Sequence, residues 1–150
     1  MISYRTAIQS TVLAAAVTLS GCGWMSSMTG SDTMTMKNQV TGAQEVPPVT
    51  TGGSGTIETT FDKMTNVLTW TVTYSGLSGP VTAAHFHGPA VAGANAGVAV
   101  PFTGDLSSPI RGKATLTAPQ AADLTGGRWY VNLHTPKNPG GEIRGQLTSK

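Results

Sequence analysis

Charge is scarce in this 150-residue chain: 11% of its residues are Asp, Glu, Lys or Arg, and they leave a net charge of +2. There is no basic run, so the electrostatic footprint of a nucleic-acid-binding protein is missing. Cysteine occurs once, at Cys22, which excludes an internal disulfide and any thiolate cluster for a metal. No apolar stretch reaches the roughly 20 residues that a membrane-spanning helix needs. Serine, histidine and aspartate can be grouped on paper as in any Ser-rich chain, but no spacing favours a nucleophilic triad. The length allows one domain. What the chain has in quantity is Gly (19 residues), Pro (9 residues) and Thr, a composition that favours short strands and tight turns over long helices.

Residues 1–22 read as an address. Arg5 is their only charge, an apolar stretch from Thr11 to Leu19 follows, and small residues close the segment, the three parts of a secretory signal. Leu19-Ser20-Gly21-Cys22 resembles the bacterial lipobox, which makes residues 1–21 a lipoprotein signal peptide and Cys22 the lipidated first residue of the mature chain. Each buried CH₂ of such an anchor adds about 0.8 kcal/mol, so several acyl chains hold firmly. Gly23 stands where an Asp would signal inner-membrane retention, which points to the outer membrane, facing periplasm or exterior. Residues 22–36 are Ser/Thr/Gly-rich and read as a flexible tether. They carry Met25, Met28, Met34 and Met36, thioethers of the kind that favour Cu(I), although a tether holding some methionines by chance is the plainer reading, and Met34 and Met36 can also begin the first strand.

From Lys37 to residue 150 the pattern alternates with period two, the mark of half-buried strands. GSGTIETTFD (53–62) and VLTWTVTY (67–74), joined through Asp62–Asn66, predict a hairpin. Further strands are expected at 81–88, 98–102, 111–116, 128–134 and 142–148. Thr117–Leu124 is the one helical candidate, with Thr117 as N-cap, Pro119 in the first turn and Gly126 as stop. About seven short strands with one short helix predict an all-β domain, an antiparallel Greek-key sandwich or barrel.

The chain has three histidines, His85, His87 and His134. On a strand, side chains two apart share a face about 7 Å apart, so His85 and His87 project together while Phe86 packs inward. His134 ends another strand beside Thr135-Pro136. Three neutral imidazoles with one open position suit Cu(II) or Zn(II). Asp105 and Glu45 are candidates for a fourth ligand only because carboxylates are scarce. Glu142, Arg144 and Gln146 share a face of the last strand. Solvated cross-strand pairing is the plain expectation there; beside a metal, Glu142 would orient an imidazole and Arg144 would attract an anion.

Four segments carry a resemblance: Thr41-Gly-Ala-Gln-Glu-Val-Pro-Pro48, Thr82-Ala-Ala-His-Phe-His-Gly-Pro89, Gly127-Arg-Trp-Tyr-Val-Asn-Leu-His-Thr135 and Asn138-Pro-Gly-Gly-Glu-Ile-Arg-Gly-Gln-Leu147. In this order they resemble the CHRD (chordin-type) domain family over about residues 36–148, which implies an all-β domain of the kind found in secreted bacterial proteins. A fainter likeness runs to Cu,Zn superoxide dismutase, a Greek-key barrel with a strand-borne His-x-His on copper. That likeness implies copper at His85 and His87, with His134 as a later ligand. The dismutase uses more histidines than are present here and a disulfide that one cysteine cannot form, so a mononuclear site is implied rather than a bimetallic one.

The expectation that follows is a lipid-anchored envelope protein that binds one copper ion, with zinc as the alternative, through His85, His87 and His134. Its role would be copper capture, buffering or delivery. Its partners would be the membrane, through Cys22, and a protein that exchanges copper. Two other readings stand beside it: a metal-free structural or protein-interaction module, and a copper-only superoxide dismutase-like enzyme with Arg144, Arg128 and Lys137 steering an anion.

Overall fold

A computed structural model describes residues 31–149, so the expected signal peptide, Cys22 and the start of the expected tether, with Met25 and Met28, lie outside the described residues. Eight strands are present: β1 (Thr33–Thr41), β2 (Ser54–Asp62), β3 (Val67–Ser75), β4 (Ala83–His87), β5 (Val98–Pro101), β6 (Ile110–Thr115), β7 (Trp129–His134) and β8 (Ile143–Leu147). A single helical turn (Gly42–Gln44) follows β1, and α1 (Ala118–Thr125) precedes β7. All pairings are antiparallel, in the order β5-β4-β7-β8-β1-β2-β3-β6. The chain crosses from one half of the sheet to the other after β3, after β5 and after β6, so that only the β1-β2-β3 meander and the β4–β5 and β7–β8 pairs join neighbours in sequence.

The expected all-β architecture is present, with one strand more than the count of about seven. The extra residues come from the expected tether. β1 begins at Thr33 and pairs with β2 from Thr33↔Asp62 to Thr41↔Ser54. Met36 is buried and Met34 packs against the core, so these two methionines are apolar filler rather than part of a soft-metal cluster. The β2–β3 hairpin turns where expected: the Asp62 carboxylate accepts from the Met64 and Thr65 amides, and Asn66 takes a left-handed φ of 56°.

Aromatic packing shows that the sheet curls over on itself. Trp70 of β3 and Phe86 of β4 lie five places apart in the strand order, yet their rings meet edge to face at 5.1 Å. Phe102 stacks on Trp70 at 4.7 Å and meets Phe86 at 4.8 Å. Such pairs contribute about 0.5–1.5 kcal/mol each beyond their area. Trp70 crosses to β6 directly above Gly112, where a Cβ would overlap the indole, so only glycine leaves room. Ile57, Leu68, Val72, Val131, Leu133, Ile143 and Leu147, all fully buried, complete one core between the two halves.

Helix α1 has the predicted boundaries. The Thr117 hydroxyl accepts from the Gln120 amide and the Gln120 side chain accepts from the Thr117 amide, a reciprocal capping box. Gly126 closes it. Its one fully buried residue, Leu124, anchors it to the core.

A candidate metal centre on the outer face of β4, β7 and β8

Alternation decides which side chains leave the core on these three strands. Phe86 on β4, Trp129, Val131 and Leu133 on β7, and Ile143 and Leu147 on β8 point inward and are almost fully buried. The outward set is His85 and His87 on β4, Tyr130, Asn132 and His134 on β7, and Arg144 and Gln146 on β8. Cross-strand pairing places His85 opposite Asn132, His87 opposite Tyr130, Asn132 opposite Arg144 and Tyr130 opposite Gln146. Asn132 is thus the centre of a polar grid. A register shift between Phe86 and His87 in the pairing with β5 marks a bulge at the edge of this grid, a common device for re-aiming side chains.

The three histidines converge as expected. Their nearest ring nitrogens all lie within 4.8 Å of one another. His85 Nδ1 is 3.1 Å from His134 Nε2, and the ring centroids are 5.0 Å apart for that pair and 5.5 Å for His85 and His87. Two rings are held from behind by main-chain carbonyls. His87 Nδ1 donates to Ala96 O at 3.0 Å and His134 Nδ1 donates to Pro139 O at 2.9 Å. A carbonyl can only accept, so in the neutral rings both protons sit on Nδ1 and both Nε2 atoms are acceptors, that of His134 facing His85 Nδ1. His87 Nε2 is buried and has no hydrogen-bond partner. An orphaned buried acceptor of this kind costs about 1–3 kcal/mol, and a cation at the centre of the cluster would satisfy it.

Burial, with the neighbouring rings, favours neutral imidazoles. It pushes His85 below the ordinary histidine range, helped by His134 and His87. His134 is also lowered, chiefly by burial, although the Pro139 carbonyl works in the opposite direction. Neutral rings are the form that ligates metal. Tyr130 stacks flat on His87 at 4.8 Å and 3°, and its hydroxyl accepts from the Ala96 amide. The Arg144 guanidinium lies 3.4 Å over the same phenol ring. Because β7 runs between β4 and β8, imidazole and guanidinium approach Tyr130 from its two sides.

Glu142 and Arg144 sit differently from their expected roles. Neither is solvated: Glu142 is 0% and Arg144 1% exposed. Glu142 touches no imidazole. Its carboxylate accepts from Thr51 Oγ1 (2.6 Å), Ser78 N (2.8 Å), Ser78 Oγ (2.5 Å) and Thr135 Oγ1 (2.5 Å). Burial pushes this carboxyl up, but the donors from Ser78, Thr135 and Thr51 outweigh it and hold the group at about 2. Glu142 therefore ties two loops to the exit of β7, next to His134. Arg144 donates to Asn95 Oδ1 and Ala94 O, pinning the 88–97 loop over the grid, so it braces His87 through Tyr130 rather than offering charge at an open mouth. Arg128, another cation expected to steer an anion, pairs with Asp123 at 2.6 Å.

Asp105 and Glu45 are not in the histidine group. The Asp105 carboxylate accepts from the Ser107 amide in its own loop. Glu45 is buried and raised to about 7 by that burial, with Arg144 pulling it down, and its Oε1 has no partner. Sequence reasoning did not single out Tyr130 or Asn132. The signal available was their place on the outward face of RWYVNLH, in step with His134.

The model of the CHRD domain matches residues 36–147, which takes in β2 to β8, β1 from Met36 onward and all three histidines. The chain belongs to the CHRD domain family. No curated protein and no solved structure is matched. The extent of the CHRD domain agrees with the strand map: its first residue, Met36, lies within β1 and its last, Leu147, ends β8.

Proposed function

We propose that this CHRD domain binds a single copper ion, with zinc as the alternative, through His85 Nδ1, His87 Nε2 and His134 Nε2. It would do so as a lipid-anchored protein of the cell envelope, serving copper capture, buffering or delivery. The observation that carries the reading is the convergence of three ring nitrogens within 4.8 Å, with His87 Nε2 buried and unpartnered at the centre. The donor set suits the ion. Imidazole nitrogen binds Cu(II) more tightly than other first-row divalent ions and binds Zn(II) well. Ala96 O and Pro139 O fix the tautomers of His87 and His134 and raise their basicity, which is how backbone carbonyls behind metal-bound histidines commonly act. Partial exposure of His85 and His134 leaves a route for exchange with a partner protein. The envelope location and the anchor at Cys22 rest on the leader sequence, and Gly23 favours the outer membrane.

Calorimetric titration of the chelator-treated protein with Cu(II) tests this. One equivalent should bind to the native protein and none to the combined His85→Ala, His87→Ala and His134→Ala variant. Because His87 is buried, the single variants His85→Ala and His134→Ala serve as checks that preserve the fold, and each should weaken binding. Unchanged binding in the triple variant refutes the assignment. Absence of any binding to the native protein leaves a metal-free interaction module.

A further inference from the structure

The fourth ligand is the natural question at a three-histidine site, and among the described residues no carboxylate joins the group. Asn132 does lie against it. Its Oδ1 is 3.0 Å from His134 Nε2, which is itself 3.1 Å from His85 Nδ1. Ligand atoms about 2.0–2.1 Å from one ion sit about 2.9 Å apart at a right angle and about 3.4 Å apart at a tetrahedral angle. Both separations fall within that range.

The hydrogen-bond logic points the same way. Since His134 Nδ1 gives its proton to Pro139 O, Nε2 of the neutral ring is an acceptor, and so is an amide oxygen. Two lone pairs facing each other at 3.0 Å are eased by a positive centre beside them, which the His85 Nδ1–H, 3.1 Å from His134 Nε2, supplies without a metal and which a bound ion would supply in its place. The amide turns Oδ1 to the histidines and Nδ2 towards Gly141. Asn132 Nδ2 and Glu45 Oε1 both border Gly141, lying 2.7 and 2.5 Å from the place a Cβ would take, although no hydrogen bond joins them. Gly141, at φ 127°, leaves that space open. Asn132 is 4% exposed and directly opposite His85, so its direction is set by packing rather than by solvent.

We propose that Asn132 Oδ1 is the fourth ligand of the ion held by His85, His87 and His134. This inference rests on the metal-binding reading above. A neutral amide oxygen is a weak ligand beside three imidazoles, comparable to the long axial oxygen of some copper sites. It leaves the site's charge equal to that of the ion.

The test uses the full chain with two probes, Cu(II) and Zn(II). With Cu(II), Asn132→Leu should bind about tenfold more weakly and change the parallel g and hyperfine values of the EPR spectrum. Asn132→Asp should keep an oxygen ligand, with binding at least as tight as native. An affinity loss in Asn132→Leu with an unaltered spectrum makes Asn132 a positioning residue and overturns the proposal. If the leucine variant does not fold, the native protein decides. On Zn(II) addition the Asn132 side-chain carbonyl carbon should shift together with the imidazole carbons of the three histidines. Imidazole shifts without a carbonyl shift refute Asn132 as ligand while the histidine site stands. No shift or spectrum with either metal removes the histidine reading and this one with it.

Discussion

Glu142→Gln separates a structural carboxylate from a group serving the metal. The side chain keeps its size, loses its charge and exchanges one acceptor oxygen for an NH₂, so the two hydrogen bonds from Thr51 and Ser78 N on one oxygen become neutral and the two hydroxyls on the other must turn to accept from the amide. Charged hydrogen bonds contribute about 1.5–3 kcal/mol and neutral ones about 0.5–1.5, a difference of about 1–1.5 each, so four conversions remove roughly 4–6 kcal/mol, which the desolvation cost that a neutral amide avoids brings down to roughly 2–4 kcal/mol. The acidity gives a second route to the magnitude. Holding a carboxyl at about 2 rather than 4.5 corresponds to at most about 3 kcal/mol, within the same range. The folded-state value is depressed, so this contribution is present above about pH 4.5 and disappears as pH falls towards 2. Urea unfolding followed by tryptophan fluorescence should therefore show Glu142→Gln less stable by about 2 kcal/mol at pH 7, with an unchanged m-value. The two proteins should converge between pH 4.5 and 2. A difference below about 0.5 kcal/mol at pH 7, or one that does not depend on pH, would refute the reasoning.

Glu45→Gln should act in the opposite sense. Burial raises this carboxyl to about 7, so its contribution is present at low pH and lost as pH rises from about 4.5 through 7. Thermal denaturation should find the glutamine variant more stable by about 1–2 kcal/mol at pH 8 and indistinguishable from native at pH 4; a destabilised variant at pH 8 would mean that attraction to Arg144 dominates. Copper affinity should hold down to about pH 6.5 and fall only below it, because burial and neighbouring rings keep His85 and His134 neutral. Calorimetry at pH 7.5, 6.5 and 5.5, corrected for proton release, checks this, and a steep loss above pH 6.5 would count against it.

Side-chain alternation and turn chemistry are local, and wherever they governed, reading the chain as a string was sufficient. The β2–β3 hairpin, the Thr117 cap and the outward projection of His85 and His87 around the inward Phe86 follow from period-two patterning and from residues a few positions apart. The start of β1 at Thr33 was legible only as an alternative, with Met34 and Met36 opening a strand, because Ser, Thr and Met suit a tether as well as an exposed edge of strand. Family membership was legible from four separated motifs, and the CHRD domain match spans the same stretch.

What covers a face is decided at long range, and that is where local pattern stopped being informative. Glu142 and Arg144 belong to an outward series that reads as solvated. The tertiary fold lays Ala94 and Asn95 over Arg144 and brings Thr51 and Ser78 onto Glu142, across sequence separations of 49 to 91 residues. The meeting of His134 with His85, 49 residues away, depends on β7 crossing the barrel to lie beside β4. Periodicity told which way each side chain left its strand. Strand order determined which imidazoles met, and the loops laid over the sheet determined which polar groups were shut away from water.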